Sequence, residues 1–191
     1  MVTDSARALH AGNRTLFSTE APRFDFVSPL AEGADQLAAE VALQLGYRMH
    51  TVLPFESNEY RRDMAGEAAA ARFDDFLPRS DTRLELPGDR SNEPEAYAMA
   101  GRATVAHCDL LIAIWDGLKA RGRGGTAEVV EVAIARGTPV IHLPPGPKEE
   151  PKLLWAAFDP VVDTSGVDPM SERPLDVAHV NQMLTAILLP P

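Results

Sequence analysis

Seven consecutive residues carry the clearest chemistry in this chain: Gly122-Arg123-Gly124-Gly125-Thr126-Ala127-Glu128. They lie between an apolar run, Leu110 to Ile114 with Trp115, Asp116 and Gly117 behind it, and a helix-forming run from Val129 to Arg136 that Gly137 closes. A strand, a glycine-rich loop and a helix start expose unpaired backbone N–H groups beyond the sheet, and the helix dipole favours an anion there. Gly124 and Gly125 permit a close backbone approach, and Thr126 can cap the helix or donate its hydroxyl to a phosphate. Arg121 and Arg123 are the phosphate partners that such a loop offers. The ligand these residues suit is phosphate-bearing, a nucleotide foremost.

Two carboxylates follow. Glu128 and Glu131 share one helix face. Each suits the helix dipole, and Glu128 is also placed to accept from ribose hydroxyls. If Thr126 caps the helix, a capping box needs Glu or Gln at position 129, where Val129 stands. A second loop offers Ser28 for phosphate, Gly33 for an unusual backbone angle and Asp35 as a dipole partner or ligand contact. Asp116 ends the apolar strand, where an acid makes a turn or orients a sugar or base. The five histidines show no metal-ligand spacing, so no metal site is expected, and no motif calls for a cofactor. The third glycine of a dinucleotide fingerprint is missing, and no P-loop is present.

The elements that must position these residues alternate. A short helix is expected within residues 3–17. Phe24 to Ser28 reads as a strand, Ala34 to Leu45 as a helix stopped by Gly46, and Met49 to Phe55 as a strand. A long helix is expected from Ser57 or Asn58 to about Leu77, then a short strand from Arg83 to Leu86 and a helix from Pro94 to His107. The Leu110 strand, expected to be buried on both faces, precedes the glycine loop, and Pro139 to Leu143 is another strand. Beyond a proline-rich loop at 144–151, Pro160 to Asp163 reads as an edge strand and Val177 to Leu189 as a terminal helix. This alternation predicts an α/β fold: a three-layer, Rossmann-like parallel sheet with helices on both faces. Ligands bind such sheets beyond the carboxyl ends of the strands.

In bulk, 191 residues suit one domain with a continuous core, here 24–143, and an extension over 144–191. The net charge is −10, which excludes general nucleic-acid binding, since that needs a basic face. Cys108 is the single cysteine, so no internal disulfide forms, and a reducing cytoplasm is expected. No apolar run approaches about 18 residues, so no membrane association is expected. The alanine-rich stretch Ala68 to Ala71 permits close packing of a second copy, as it does of a neighbouring helix in a monomer.

Val27-Ser28-Pro29-Leu30-Ala31-Glu32-Gly33-Ala34-Asp35, followed by Ala38, Ala39 and Glu40, resembles the serine- and glycine-bearing loop of the SLOG superfamily. That group includes the DNA-processing protein DprA (Smf) and the LOG cytokinin-activating enzymes. Leu53-Pro54-Phe55 with Tyr60 and Asp63, and Tyr97, Gly101 and Arg102 before His107-Cys108-Asp109, are similar to uncharacterised bacterial members. The resemblance covers roughly residues 24–143 and implies a nucleotide or nucleotide-derived ligand across the carboxyl edge, bound by a sensor or regulatory module. The alternative it implies is nucleotide N-glycosidic hydrolysis of the LOG type, with Glu128 catalytic. Two features depart from the pattern. Members open with a strand ending in a glycine- and arginine-bearing phosphate loop, and none precedes Phe24; the chain is then shortened, incomplete at its N-terminus or differently arranged. LOG enzymes and nucleoside deoxyribosyltransferases place a glutamate three residues after the loop threonine, where this chain has Val129. One helical position turns a side chain by about 100°.

Overall fold

The computed structural model describes residues 1–120, 122–147, 149–158 and 171–190. Its elements are α1 (Val2–Gly12), β1 (Asp25–Ser28), α2 (Ala34–Gln44), β2 (Arg48–Leu53), α3 (Ser57–Tyr60), α4 (Glu67–Phe76), β3 (Thr82–Glu85), α5 (Glu93–Ala106), β4 (Leu111–Ile114), α6 (Thr126–Ala135), β5 (Val140–Leu143), β6 (Lys152–Leu154), β7 (Glu172–Pro174) and α7 (Val177–Leu188). The fold is α/β, as the alternation predicts. It contains two hydrogen-bonded sheets rather than one: a parallel sheet, β1-β2-β3, and a mixed sheet, β4-β5-β6-β7. The edge strand expected at Pro160 to Asp163 lies outside the described residues. Among those residues no helix is long and apolar enough to cross a membrane.

Contacts group the chain into two compact units. One comprises Arg23–Cys108 and Lys119–Val129, and so holds the parallel sheet and the glycine loop. Parallel strands need covered faces. In β2, Thr51, Val52 and Leu53 are all buried although successive side chains point to opposite faces, so this strand is covered on both. Leu30, Met49, Leu53, Phe55, Tyr60, Phe73 and Phe76 form the core of the unit. The helix expected over 57–77 is broken. Met64 is extended and buried, Gly66 adopts φ 141°, and α4 starts only at Glu67. Burying Met64 outweighs the alanine-rich helix propensity of the segment, and Gly66 supplies the backbone angle the break requires.

The other unit comprises Met1–Pro22, Asp109–Leu118 and Val130–Pro191. β4 pairs in parallel with β5, while β6 and β7 join antiparallel. β4 was expected to be buried on both faces, but it is an edge strand with Ile112 58% and Ile114 41% exposed. β5 takes the interior place instead, with Val140, Ile141 and His142 buried.

In the first unit the loops beyond the strands close on one another at Gly88. A Cβ there would lie 2.1 Å from the Pro54 carbonyl oxygen and 2.8 Å from the Ala96 Cβ. Backbone cannot yield as a flexible side chain does, so Gly88→Ala is expected to cost roughly 2–4 kcal/mol. Urea denaturation measures this; a loss below about 0.5 kcal/mol would mean that these loops do not abut.

Candidate functional site

The turn after β1 is a knot of short-range hydrogen bonds. Pro29 ends the strand, and the Ser28 hydroxyl accepts from the Leu30 amide (3.0 Å) while donating to Asp35 Oδ2 (3.1 Å). The Ala31 amide donates to the same carboxylate oxygen at 3.3 Å. Leu30 is fully buried and takes φ 56°, a left-handed conformation that costs a non-glycine residue about 1 kcal/mol or more. Gln36, also buried, fixes the turn from behind by donating to the Leu30 carbonyl (3.4 Å) and the Ala69 carbonyl (3.1 Å). Gly33 supplies the unusual angle expected of it, φ 92°, as the residue before α2, and no side chain caps that helix. Asp35 keeps some contact with solvent, yet desolvation of its carboxyl is the dominant influence and raises its pKa against the opposing bonds from Ser28 and Ala31.

Beyond β2 and β3 stands a second cluster. The Arg90 guanidinium lies 3.9 Å from the centre of the Phe55 ring. It donates to Glu59 Oε1 (3.0 Å), the Glu59 carbonyl (2.7 Å), Asp63 Oδ1 (2.8 Å) and Glu93 Oε1 (3.1 Å). The Tyr97 hydroxyl donates to Asp63 Oδ2 at 2.5 Å; burial and then this bond raise its pKa. The Tyr97 ring is 6.4 Å from that of Tyr60. Desolvation raises the Tyr60 pKa most, and the Asp35 carboxylate comes next, so the turn after β1 and the cluster beyond β2 and β3 are electrostatic neighbours.

The glycine loop packs on this cluster. Gly124 has φ 81°, and a Cβ on it would lie 2.6 Å from the Tyr97 Cβ and 3.0 Å from the Pro94 carbonyl oxygen. Gly122 and Gly125 face open space, so only Gly124 is required by the packing of the loop itself. The Val129 amide bonds to the Gly125 carbonyl at 3.2 Å, which makes Gly125, not Thr126, the residue before the helix. Thr126 is the first residue of α6 and is exposed. Glu128 therefore occupies the third helical position, where a glutamate reaches back to the chain entering the helix. Its Oε2 accepts from the Gly124 amide at 2.6 Å, which explains the carboxylate as a brace of its own helix start. Arg123 pairs with Glu95 at 2.5 Å, and Glu95 also accepts from Arg102 at 2.6 Å.

Ser28, Gly33, Asp35, Arg123, Gly124, Gly125, Thr126 and Glu128 all belong to the first unit. Asp116 belongs to the other unit, where its carboxylate accepts from the Leu118 amide at 3.1 Å and closes a turn. Arg121 lies outside the described residues. Sequence reasoning missed Arg90, Glu59 and Gln36. An arginine in a strand-to-helix loop flanked by Asp89 and Glu93 was the available signal for the first. Among the described residues, no three His, Cys, Asp or Glu side chains gather as a metal would need.

Open donors remain at several helix starts, those of α2 and α6 among them. The amides of Ala34, Asp35 and Gln36, and those of Thr126, Ala127 and Glu128, make no hydrogen bond among the described residues. Gly33 and Gly125 precede these two helices, as Gly66 precedes α4.

No family model matches the chain, and neither does any curated protein or solved structure.

The Asp35 knot has a pH signature. A carboxyl whose folded pKa is raised binds a proton more tightly folded than unfolded. Its ionised form costs stability at neutral pH, and the cost disappears as pH falls through the folded pKa towards the unfolded value of about 3.9. Asp35→Asn keeps an oxygen for Ser28 and Ala31, so its stability relative to wild type should be highest at pH 7 and decline as pH drops towards about 4. Denaturant titrations across that range test this; parallel stability profiles would show that the carboxyl pKa is not raised by folding.

Proposed function

We propose that this protein binds a nucleotide or nucleotide-derived small molecule at the carboxyl edge of its parallel sheet, as a sensor or regulatory module. One observation carries the reading. The starts of α2 and α6 lie in the same unit, each follows a glycine, and their first-turn amides have no partner among the described residues. Such amides, with the dipole behind them, attract anionic oxygen. The phosphate lies at Thr126–Glu128, where the exposed Thr126 hydroxyl adds a donor. Arg123 is 58% exposed in its pair with Glu95, and exchanging so open a pair for a phosphate costs little, since such pairs contribute about 0–1 kcal/mol.

The motif residues quoted for the SLOG superfamily fit this reading, because Ser28, Gly33 and Asp35 build the turn that opens α2. The single cysteine fits a reducing cytoplasm. We infer binding rather than turnover, because Glu128 is engaged with its own loop. Hydrolysis of an N-glycosidic bond needs a carboxylate aimed at the sugar or its water.

Thermal-shift measurements with the four ribonucleoside 5′-monophosphates test the reading. A ligand of the folded state present at about 100 times its Kd adds ~2.7 kcal/mol, a rise of roughly 5–10 °C for a chain of this size. At least one monophosphate should raise Tm by that amount without releasing free base. No shift with any of the four contradicts the proposal; base release abolished by Glu128→Gln would replace it with hydrolysis.

A further inference from the structure

Two guanidiniums converge on one carboxylate beside the glycine loop. Arg102 donates to Glu95 Oε1 at 2.6 Å and Arg123 lies 2.5 Å from Oε2, so each oxygen of Glu95 meets its own arginine. All three residues belong to the parallel-sheet unit, and packing sets their segments side by side. A Cβ on Gly101 would lie 2.6 Å from Val129 Cγ2, and one on Gly124 would lie 2.6 Å from the Tyr97 Cβ. That packing and the Glu128 brace already fix the loop, so the contacts of Glu95 are not what holds it in place. The trio is open to solvent, with Arg123 58%, Arg102 40% and Glu95 38% exposed, and pairs so open add little to stability.

Its balance of charge sets this trio apart. Among the described residues, every other ion-paired arginine of the unit has a carboxylate of its own, or shares more acids than there are arginines, as Arg62 and Arg90 do around Glu59, Asp63 and Glu93. Around Glu95 two cations meet a single anion, which leaves a positive charge in excess within a chain of net charge −10. A phosphate group carries roughly two negative charges and oxygens enough for two arginine forks, so it matches the pair where a carboxylate does not. We propose that Glu95 stands in for a second phosphate of the ligand, and that Arg102 and Arg123 exchange it for that phosphate when a nucleoside diphosphate binds. This rests on the reading of the sheet edge as a nucleotide site and adds a phosphate count to it. Arg123 serves both phosphates, the first of them at the start of α6, and Arg102 serves the second alone.

Isothermal titration calorimetry with the ribonucleoside 5′-monophosphates and the matching 5′-diphosphates, without added divalent cation, tests the assignment on wild type, Arg102→Gln and Glu95→Gln. In wild type the diphosphate should bind about tenfold more tightly than the monophosphate of the same base, the scale of one charge-assisted hydrogen bond. Arg102→Gln should erase that preference and leave the monophosphate within about twofold of its wild-type affinity. Glu95→Gln removes the competing carboxylate and should strengthen the diphosphate about tenfold, more than it strengthens the monophosphate. A carboxylate that merely tethered the loop would weaken both ligands when removed. Equal affinities in wild type, a preference that survives Arg102→Gln, loss of the monophosphate in that variant, or a diphosphate bound no more tightly by Glu95→Gln each overturn the second-phosphate assignment. They leave the nucleotide reading intact wherever wild type binds a monophosphate. If wild type binds neither ligand, both readings fall together.

Discussion

The carboxylate of Asp35 holds the Ser28 hydroxyl and the Ala31 amide, and the shape of the sheet's carboxyl edge follows from that grip. Between the two held residues the chain passes through a buried Leu30 in a left-handed conformation, which an isolated turn would not adopt. The strain and the desolvated carboxyl are both costs. They persist because Leu30 joins the apolar core and because Gln36 ties its carbonyl from below. The turn delivers the chain to Gly33 and starts α2 without a side-chain cap. The same acid that closes the turn therefore leaves the helix amides beyond it unclaimed.

Charge is handled in a way that matches. Arg90 lies among carboxylates over an aromatic face, and Arg123 and Arg102 share Glu95. In a protein of net charge −10 an anion cannot rely on a basic surface. The first-turn amides of α2 and α6 have no acid partner among the described residues, and on the proposed reading they are the donors that meet a phosphate. Partly exposed pairs of this kind add little to stability, so the apolar cluster beneath them holds the unit together.

Much of this was readable in the residue order. Glycines and prolines mark the ends of α2, β3 and α5, and the apolar runs of β1, β2 and β5 are correctly placed because local chemistry decides them. Other features depend on choices that local pattern does not contain. The break before α4 depends on where the Met64 side chain is buried, and a helix-favouring run of alanines hides it. β6 and β7 are three residues each, too short to show a period, and each is defined by its partner strand. The function of Glu128 depends on a single residue: with Gly125 rather than Thr126 before the helix, an unexplained acid becomes a brace. Arg90 acquires its partners only after the segments that follow β2 and β3 meet.

The central claim is that the first-turn amides of α2 and α6 receive one ligand together. Backbone amide shifts in a ¹⁵N-labelled sample titrated with the ribonucleoside 5′-monophosphates test it most directly. The account predicts that Ala34–Gln36 and Thr126–Glu128 shift on one common binding curve with at least one of the four. Shifts confined to one helix start, or two curves with different midpoints, would contradict it.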